Sequence, residues 1–286
     1  MTKMTTLPSP VARLSRAVWR DGALRETAER ATPEETPVAL TYDGATQAVM
    51  MASPTDVEDF AYGFSLTEGV VRDVAEIESL EIIDQGIGIE ARMWLAKDPS
   101  RSLSQRRRSL AGPTGCGLCG IESLEQAVKP ARLVGATAVF TAADIHAGLD
   151  ALSRAQSLNF ETRAVHGAGF FRPGQGLVAV REDVGRHNAL DKLAGHLART
   201  KEDASTGFVV LTSRVSVEMI QKAAVIGTGL VVAVSAPTAL GVRLAEAAGI
   251  TLAAIARGDG FEVFTHPQRI AGAAGAATRQ AGASAP

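Results

Sequence analysis

Between Gly176 and Phe264 short apolar runs alternate with longer amphipathic ones, and this alternation constrains the fold more than any other feature of the chain. Gly176–Val180, Phe208–Leu211, Leu230–Val234, Ile250–Ile255 and Phe261–Phe264 read as strands, and His187–Leu197, Val215–Ile226 and Pro237–Ala248 read as helices. A parallel strand needs a crossover of a dozen or so residues, and a helix of that length supplies it. The expectation is α/β architecture, with βαβ units and a mostly parallel sheet. The stretch Ala223–Val242 carries no charge and approaches membrane-spanning length. Gly227, Gly229, Ser235, Pro237 and Gly241 punctuate it, so it reads as a helix end, a buried strand and a new helix.

The first half reads as a smaller α+β part. Residues 1–35 are polar and broken by Pro8, Pro10 and Pro33, giving a mostly flexible N-terminus with one strand near Leu14–Trp19. Pro37–Thr41 and Gln47–Met51 flank Tyr42-Asp43-Gly44, a hairpin signal. Thr55-x-x-Glu58 has capping-box spacing before a helix with Val57, Phe60, Ala61 and Phe64 on one face. Strands follow at Ile77–Ile83 and Ile87–Leu95, split at Gly86. Lys97–Gly115 is basic and serine-rich and reads as a mobile surface segment, followed by a short helix at Ile121–Val128 and a longer one from Thr141 to about Leu158. The domains are thus 1–35, 36–130 with a mobile CxxC loop over 97–120, a core over 131–270, and a disordered Ala/Gly tail over 271–286.

The 286 residues include 46% hydrophobic and 21% charged types, which excludes wholesale disorder. With 29 Lys and Arg against 31 Asp and Glu the chain is near neutral, so no general basic field draws it to nucleic acid or to membranes. Met1–Arg16 holds no apolar signal-peptide core, and a cytoplasmic location without membrane insertion is expected.

Polar side chains gather after three consecutive strands: Arg181-Glu182-Asp183-Val184-Gly185-Arg186-His187-Asn188, Thr212-Ser213-Arg214-Val215-Ser216, and Ser235-Ala236-Pro237-Thr238. Each junction opens a helix, where free N–H groups favour an anion. Taken singly, Ser213, Ser216 and Ser235 are explained as helix caps, and Asp183 as a partner of Arg186 across its turn. Three such junctions in a row, two with arginine, point to an anionic ligand such as a nucleotide. His187 suits a base or a phosphate contact, and His166 has small neighbours that leave its ring room to meet a ligand. Neither GxGxxG nor GxxxxGK[ST] occurs, so the site is neither a dinucleotide fingerprint nor a P-loop.

The only cysteines are Cys116 and Cys119, in Gly115-Cys116-Gly117-Leu118-Cys119-Gly120. A CxxC alone is compatible with zinc binding, redox exchange, sulfur carriage or coincidence. No second pair completes a structural zinc site, and the deaminase H-x-E and P-C-x-x-C signatures are absent, so no metal is expected. Arg101, Arg106, Arg107 and Arg108 upstream lower thiol pKa, and the glycines leave the sulfurs unhindered, which favours a reactive thiolate.

These motifs together resemble the FdhD family of formate dehydrogenase accessory sulfurtransferases. The resemblance rests on the CxxC run, on Glu182-Asp183-Val184-Gly185-Arg186-His187-Asn188-Ala189-Leu190-Asp191-Lys192, and on Ser213-Arg214-Val215-Ser216-Val217-Glu218. It extends to Ser235–Thr238, Glu35-Thr36-Pro37, Met51–Asp56 and Thr67-Glu68-Gly69, and spans about Glu35 to Ile270. It implies a homodimeric sulfur carrier with a cytidine-deaminase-like three-layer core. Such a carrier takes sulfur from a cysteine desulfurase as a persulfide and passes it to the molybdenum bis(molybdopterin guanine dinucleotide) cofactor for formate dehydrogenase, with GDP as a natural mimic of the ligand. By position, Cys116 is the persulfide cysteine and Cys119 its assistant. Phe261, Glu262, Val263, Phe264, Thr265 and His266 contribute to cofactor binding, beside Asp183, Arg186, His187, Ser213, Arg214 and Ser216 at the junctions. Phe264 departs from the tyrosine that many relatives carry. The rival expectations are a dithiol oxidoreductase and a cofactor chaperone without sulfur chemistry.

Overall fold

The computed structural model describes residues 7–100 and 131–272, so residues 101–120 of the CxxC loop, Ile121–Val128 and nearly all of the tail lie outside the described residues, while residues 97–100 form a helical turn. The chain opens with β1 (Val11–Arg20) and β2 (Ala23–Pro33), an antiparallel pair. The expectation of a mostly flexible 1–35 with one strand is therefore corrected. Asp21 and Gly22 both take positive φ, 52° and 76°, the two-residue turn that matches strand twist. The same Asp-Gly turn at Asp43 and Gly44 joins β3 (Thr36–Tyr42) to β4 (Ala45–Ala52). After α1 (Val57–Thr67) come β5 (Ile77–Asp84) and β6 (Ile89–Leu95), completing a sheet of order β4-β3-β6-β5. The capping box proposed for α1 does not form: Asp56 occupies the cap position at φ 51° and makes no side-chain cap bond. Phe60 and Phe64 of α1 pack edge to face and cover one face of this sheet, against Val38, Leu40, Tyr42, Ile89 and Met93.

Next come α2 (Ala142–Ala155) and α3 (Ser157–Thr162), where one helix to Leu158 was expected. At the start of α2, Thr141 and Asp144 make a complete capping box. The second sheet is built from β7 (His166–Arg172), β8 (Gly176–Asp183), β9 (Phe208–Leu211), β10 (Leu230–Ala233), β11 (Thr251–Arg257) and β12 (Gly260–Thr265). Its helices are α4 (Arg186–Arg199), α5 (Val217–Ile226) and α6 (Ala239–Ala247). The strand order is β12-β11-β10-β9-β7-β8. Only β9–β10 and β10–β11 pair in parallel, while β7–β8, β7–β9 and β11–β12 are antiparallel. The expected mostly parallel sheet is corrected to a mixed one, because the short turns after Arg172 and Arg257 leave no room for a crossover. Strand β7 was not anticipated. Its Gly167-Ala168-Gly169 run shows no alternation, since both faces of the sheet are covered.

Alternation along β9 separates the two faces. Val209 and Leu211 join α4, α5 and α6 in one core, and Phe208 and Val210 join Ile145 and Leu152 of α2 in the other. The two halves meet where α1 crosses α4 at Gly63 and Gly195. A Cβ at Gly63 would strike the Asp191 carbonyl, and one at Gly195 the Asp59 carbonyl. Glycine here lets the helix backbones touch, which brings charged side chains from both halves into one buried seam.

Candidate functional site

Strand β8 runs antiparallel to β7, and β7 antiparallel to β9, so β8, β9, β10 and β11 all end at the same sheet edge. The three polar junctions therefore share that edge. His166, at the start of β7, joins them through its register with Asp183.

Helix caps account for only one of the junctions. Thr238 Oγ1 accepts a hydrogen bond from Gly241 N (3.1 Å) and caps α6. Gly185, at the start of α4, has no side chain to offer. At α5, Ser216 makes no cap bond, because its hydroxyl donates to Glu218 Oε2 at 2.7 Å. Two helices of 14 and 10 residues thus open toward this edge without a side-chain cap. Among the described residues, the Nε of Arg186 is buried and finds no hydrogen-bond partner. An unsatisfied guanidinium nitrogen beside uncapped N-termini is a receptive arrangement for an oxyanion.

The imidazoles are neutral here at pH 7. Burial, reinforced by the charges of Arg186 and Lys222, pushes His187 down to about 4. His166 is also lowered, by burial and then by Arg186. For Glu218, burial opposes the charge, but the Ser216 hydroxyl and the Arg186 guanidinium outweigh it and hold its carboxyl below the usual range. The ionised groups are therefore Arg186 and Glu218, flanked by imidazoles able to donate or accept hydrogen bonds.

An acid limb of stability follows. Unfolded His187 titrates near its ordinary 6.5 and folded His187 near 4, so between those values the unfolded state binds the extra proton. Stability is expected to fall as pH drops through this window, by up to about 3 kcal/mol from His187, with His166 and His196 acting in the same direction. Urea unfolding of His187→Gln between neutral pH and about pH 4 should show a flatter acid limb than that of the wild-type chain.

Asp183 is not available to a ligand. It is fully buried and pairs with Lys192 Nζ at 2.6 Å rather than with Arg186. Ser53 N donates to its Oδ2 (2.9 Å), while Gly185 N (2.8 Å) and Asn188 Nδ2 (2.9 Å) donate to Oδ1. Its role is to hold the β8–α4 loop against the N-terminal half. Ser213 is also buried, its hydroxyl donating to the Arg214 carbonyl at 3.1 Å, while the Arg214 side chain is exposed.

Beneath His187 lies a second buried charge group. Lys222 Nζ donates to Asp191 Oδ1 (2.8 Å), Glu68 Oε1 (2.9 Å) and Thr67 Oγ1 (3.0 Å). Burial opposes the Lys222 charge, but Asp191 and Glu68 outweigh it and raise its pKa. Arg181 and Arg199 clasp Asp59 in a third group. All three groups tie α1, or the loop before it, to the C-terminal core.

Residues Phe261–His266 are not brought to the Arg186 cluster. They run along β12, the edge strand opposite β8, separated from it by about 24 Å for five strand spacings. Phe261 faces the His146 ring at a centroid distance of 5.8 Å, while Glu262 and Phe264 are exposed and Val263 is partly buried. Thr265 Oγ1 donates to the Ile250 carbonyl (2.7 Å), and His266 Nε2 donates to the Glu246 carbonyl (2.9 Å). Thr265 and His266 lie at the start of β11, away from the junction edge. Glu218 is the site residue that sequence reasoning passed over. Its signal was its place two residues beyond Ser216, on the first turn of a helix.

Residues 33–271 match the model of the FdhD/NarQ family. The chain belongs to this family. It is 53% identical over 259 residues to the sulfur carrier protein FdhD of Agrobacterium fabrum, covering 90% of this chain and 95% of that one. It is 56% identical over 246 residues to the sulfur carrier protein FdhD of Brucella abortus, covering 86% and 91%. A Desulfotalea psychrophila crystal structure, described as that of a formate dehydrogenase accessory protein, superposes with a TM-score of 0.74. It is 25% identical, over 92% of this chain and all of that one. The FdhD resemblance carried by the sequence motifs is thereby established. Among the described residues no helix is long and apolar enough to cross a membrane.

Proposed function

We propose that this FdhD/NarQ family member is a cytoplasmic, homodimeric sulfur carrier serving formate dehydrogenase, with a cytidine-deaminase-like layering of its core. The Cys116 thiolate attacks the outer sulfur of a cysteine desulfurase persulfide. The S–S bond of the donor breaks, its cysteine leaves as a thiolate, and Cys116 holds the sulfane sulfur. The recipient is the molybdenum bis(molybdopterin guanine dinucleotide) cofactor, bound as substrate. Cys119 then attacks the inner sulfur, so the Cys116–Cys119 disulfide forms and the outgoing sulfur takes up the two electrons at the sulfide level.

The observation that supports the nucleotide part of this reading is the buried Nε of Arg186, without a hydrogen-bond partner among the described residues, at one uncapped helix N-terminus and within electrostatic reach of Glu218 at a second. A guanine dinucleotide brings a diphosphate, which those groups suit. The names of the similar Agrobacterium and Brucella proteins support the sulfur part. Phe261–His266, on the far edge strand, would meet the cofactor separately from the Arg186 cluster, in keeping with a ligand that has two dinucleotide arms. Incubation with a cysteine desulfurase and cysteine is expected to add about 32 Da by intact mass spectrometry, one sulfur atom. Cys116→Ala should remove the adduct. An adduct that persists in that variant reassigns the carrier, and disulfide reduction at thioredoxin-like rates would favour oxidoreductase chemistry instead.

A further inference from the structure

The β1–β2 hairpin is held to α3 at its base, by the Arg13–Glu161 ion pair (3.0 Å) and by Arg30 donating to the Thr162 carbonyl (3.3 Å). Toward the turn its side chains are largely exposed. Residues directly opposite each other in an antiparallel pair share a face, and successive levels on one face are about 6.8 Å apart. The register places on one face Leu14 with Arg30, Arg16 with Ala28, Val18 with Arg25, and Arg20 with Ala23. Each level carries one arginine, and the arginines alternate between the two strands. Trp19 and Leu24 pair on the opposite face, each 67% exposed.

A bulge makes this arrangement. Arg25 and Arg30 are five residues apart, an odd separation that sets side chains on opposite faces of a regular strand. Ala17 pairs with Thr27 and Val18 with Arg25, so β2 holds one extra residue at the shift. That residue returns Arg25 and Arg30 to the face of Arg16 and Arg20. The result is a ladder of exposed guanidinium groups about 20 Å long, with no carboxylate on its face. Arg25 reaches Asp21 of the turn at 3.3 Å, an exposed pair of little strength. Among the described residues Arg16 and Arg20 form no ion pair.

We propose that this face docks a partner protein through an acidic segment in extended conformation. Alternate side chains of a strand lie on one face about 6.8 Å apart, the interval of the arginine ladder. Carboxylates at every second residue would therefore each meet one guanidinium fork. Two observations favour protein over nucleic acid. The chain's net charge of -2 gives a polyanion no long-range attraction. Trp19 stands exposed behind the ladder, and tryptophan with arginine is the composition enriched in protein hot spots. The docking face uses no residue of the Arg186 cluster and stands whether or not the sulfur-transfer reading holds.

The test is fluorescence anisotropy of a labelled peptide of alternating glutamate and threonine, titrated with the full chain. The wild-type chain is expected to bind it, more weakly as salt rises. Arg16→Ser with Arg20→Ser should raise the Kd at least about tenfold. Arg154→Ser with Arg243→Ser removes the same charge from exposed helix positions and should change the Kd by less than about twofold. A peptide of the same composition with its glutamates in one block offers half as many carboxylates per face and should bind at least about threefold more weakly. Equal losses in the two double variants make the binding a matter of net charge and overturn the docking face. Equal affinity for the two peptides overturns the extended register. An oligothymidylate of equal charge that binds more tightly than the alternating peptide overturns the protein partner in favour of nucleic acid. A wild-type chain that binds neither peptide overturns the proposal outright.

Discussion

Asp183→Ala is expected to lower folding stability by about 3 to 5 kcal/mol, the usual cost of removing one partner from a buried ion pair. Lys192 is fully buried, and its other neighbours are the carbonyls of Ser53 (3.0 Å) and Glu182 (3.4 Å), which do not neutralise an ammonium. The substitution also strands Ser53 N, Gly185 N and Asn188 Nδ2, each within 2.9 Å of the carboxylate. Urea denaturation reads the loss. Adding Lys192→Met should recover much of it, because the uncompensated charge is then gone. A loss below about 1 kcal/mol would mean that the pair is far more hydrated than its geometry indicates. Since Asp183 fixes the loop that leads into α4, the same variant should loosen nucleotide binding without having touched the nucleotide.

Arg186→Ala is expected to weaken GDP binding about ten- to a hundredfold, from losing a charge-assisted hydrogen bond to phosphate. Arg186 is the cation that acts on both imidazoles and on Glu218. With it gone, the helix N-termini are left to hold the diphosphate. Calorimetry of the wild-type chain, Arg186→Ala and Arg186→Lys at two salt concentrations separates charge from fork geometry. Lysine should restore the salt dependence but only part of the affinity. Equal affinity across the three would remove Arg186 from the site. Because Arg186 does not take part in the Asp183–Lys192 pair, the folding stability of its variants should change little.

The sequence exposed some of this architecture and concealed other parts, for identifiable reasons. The strands from Phe208 to Ala233, and the helices between β8 and β11, are visible because their apolar periodicity is a local property. The Asp43-Gly44 hairpin is visible through its turn, and an Asp-Gly turn at Asp21 signals the first hairpin just as directly, although its strands lack an apolar face. Strand β7 is hidden because burial on both sides removes alternation. The orientation of pairs is hidden too, since it depends on which strands become neighbours.

At the candidate site, residue types were readable and roles were not. The motif containing Asp183, Arg186, His187 and Lys192 is a continuous piece of sequence. Folding divides it, with Asp183 and Lys192 turned inward to each other and Arg186 and His187 left at the strand ends. The choice between a cap and a ligand contact also lay beyond the sequence. Ser216 is a good cap residue by type, but its hydroxyl is taken by Glu218, whereas Thr238 caps as its type suggests.

The sequence by itself determined the family and the alternation of strands and helices, because motifs and periodicity are carried by neighbouring residues. Tertiary structure alone decided that the sheet is mixed, that Asp183 is an internal brace, and that Phe261–His266 and Arg186 stand at opposite sheet edges. Those outcomes depend on distances between residues far apart in the chain, and on which buried charges find partners once water is excluded.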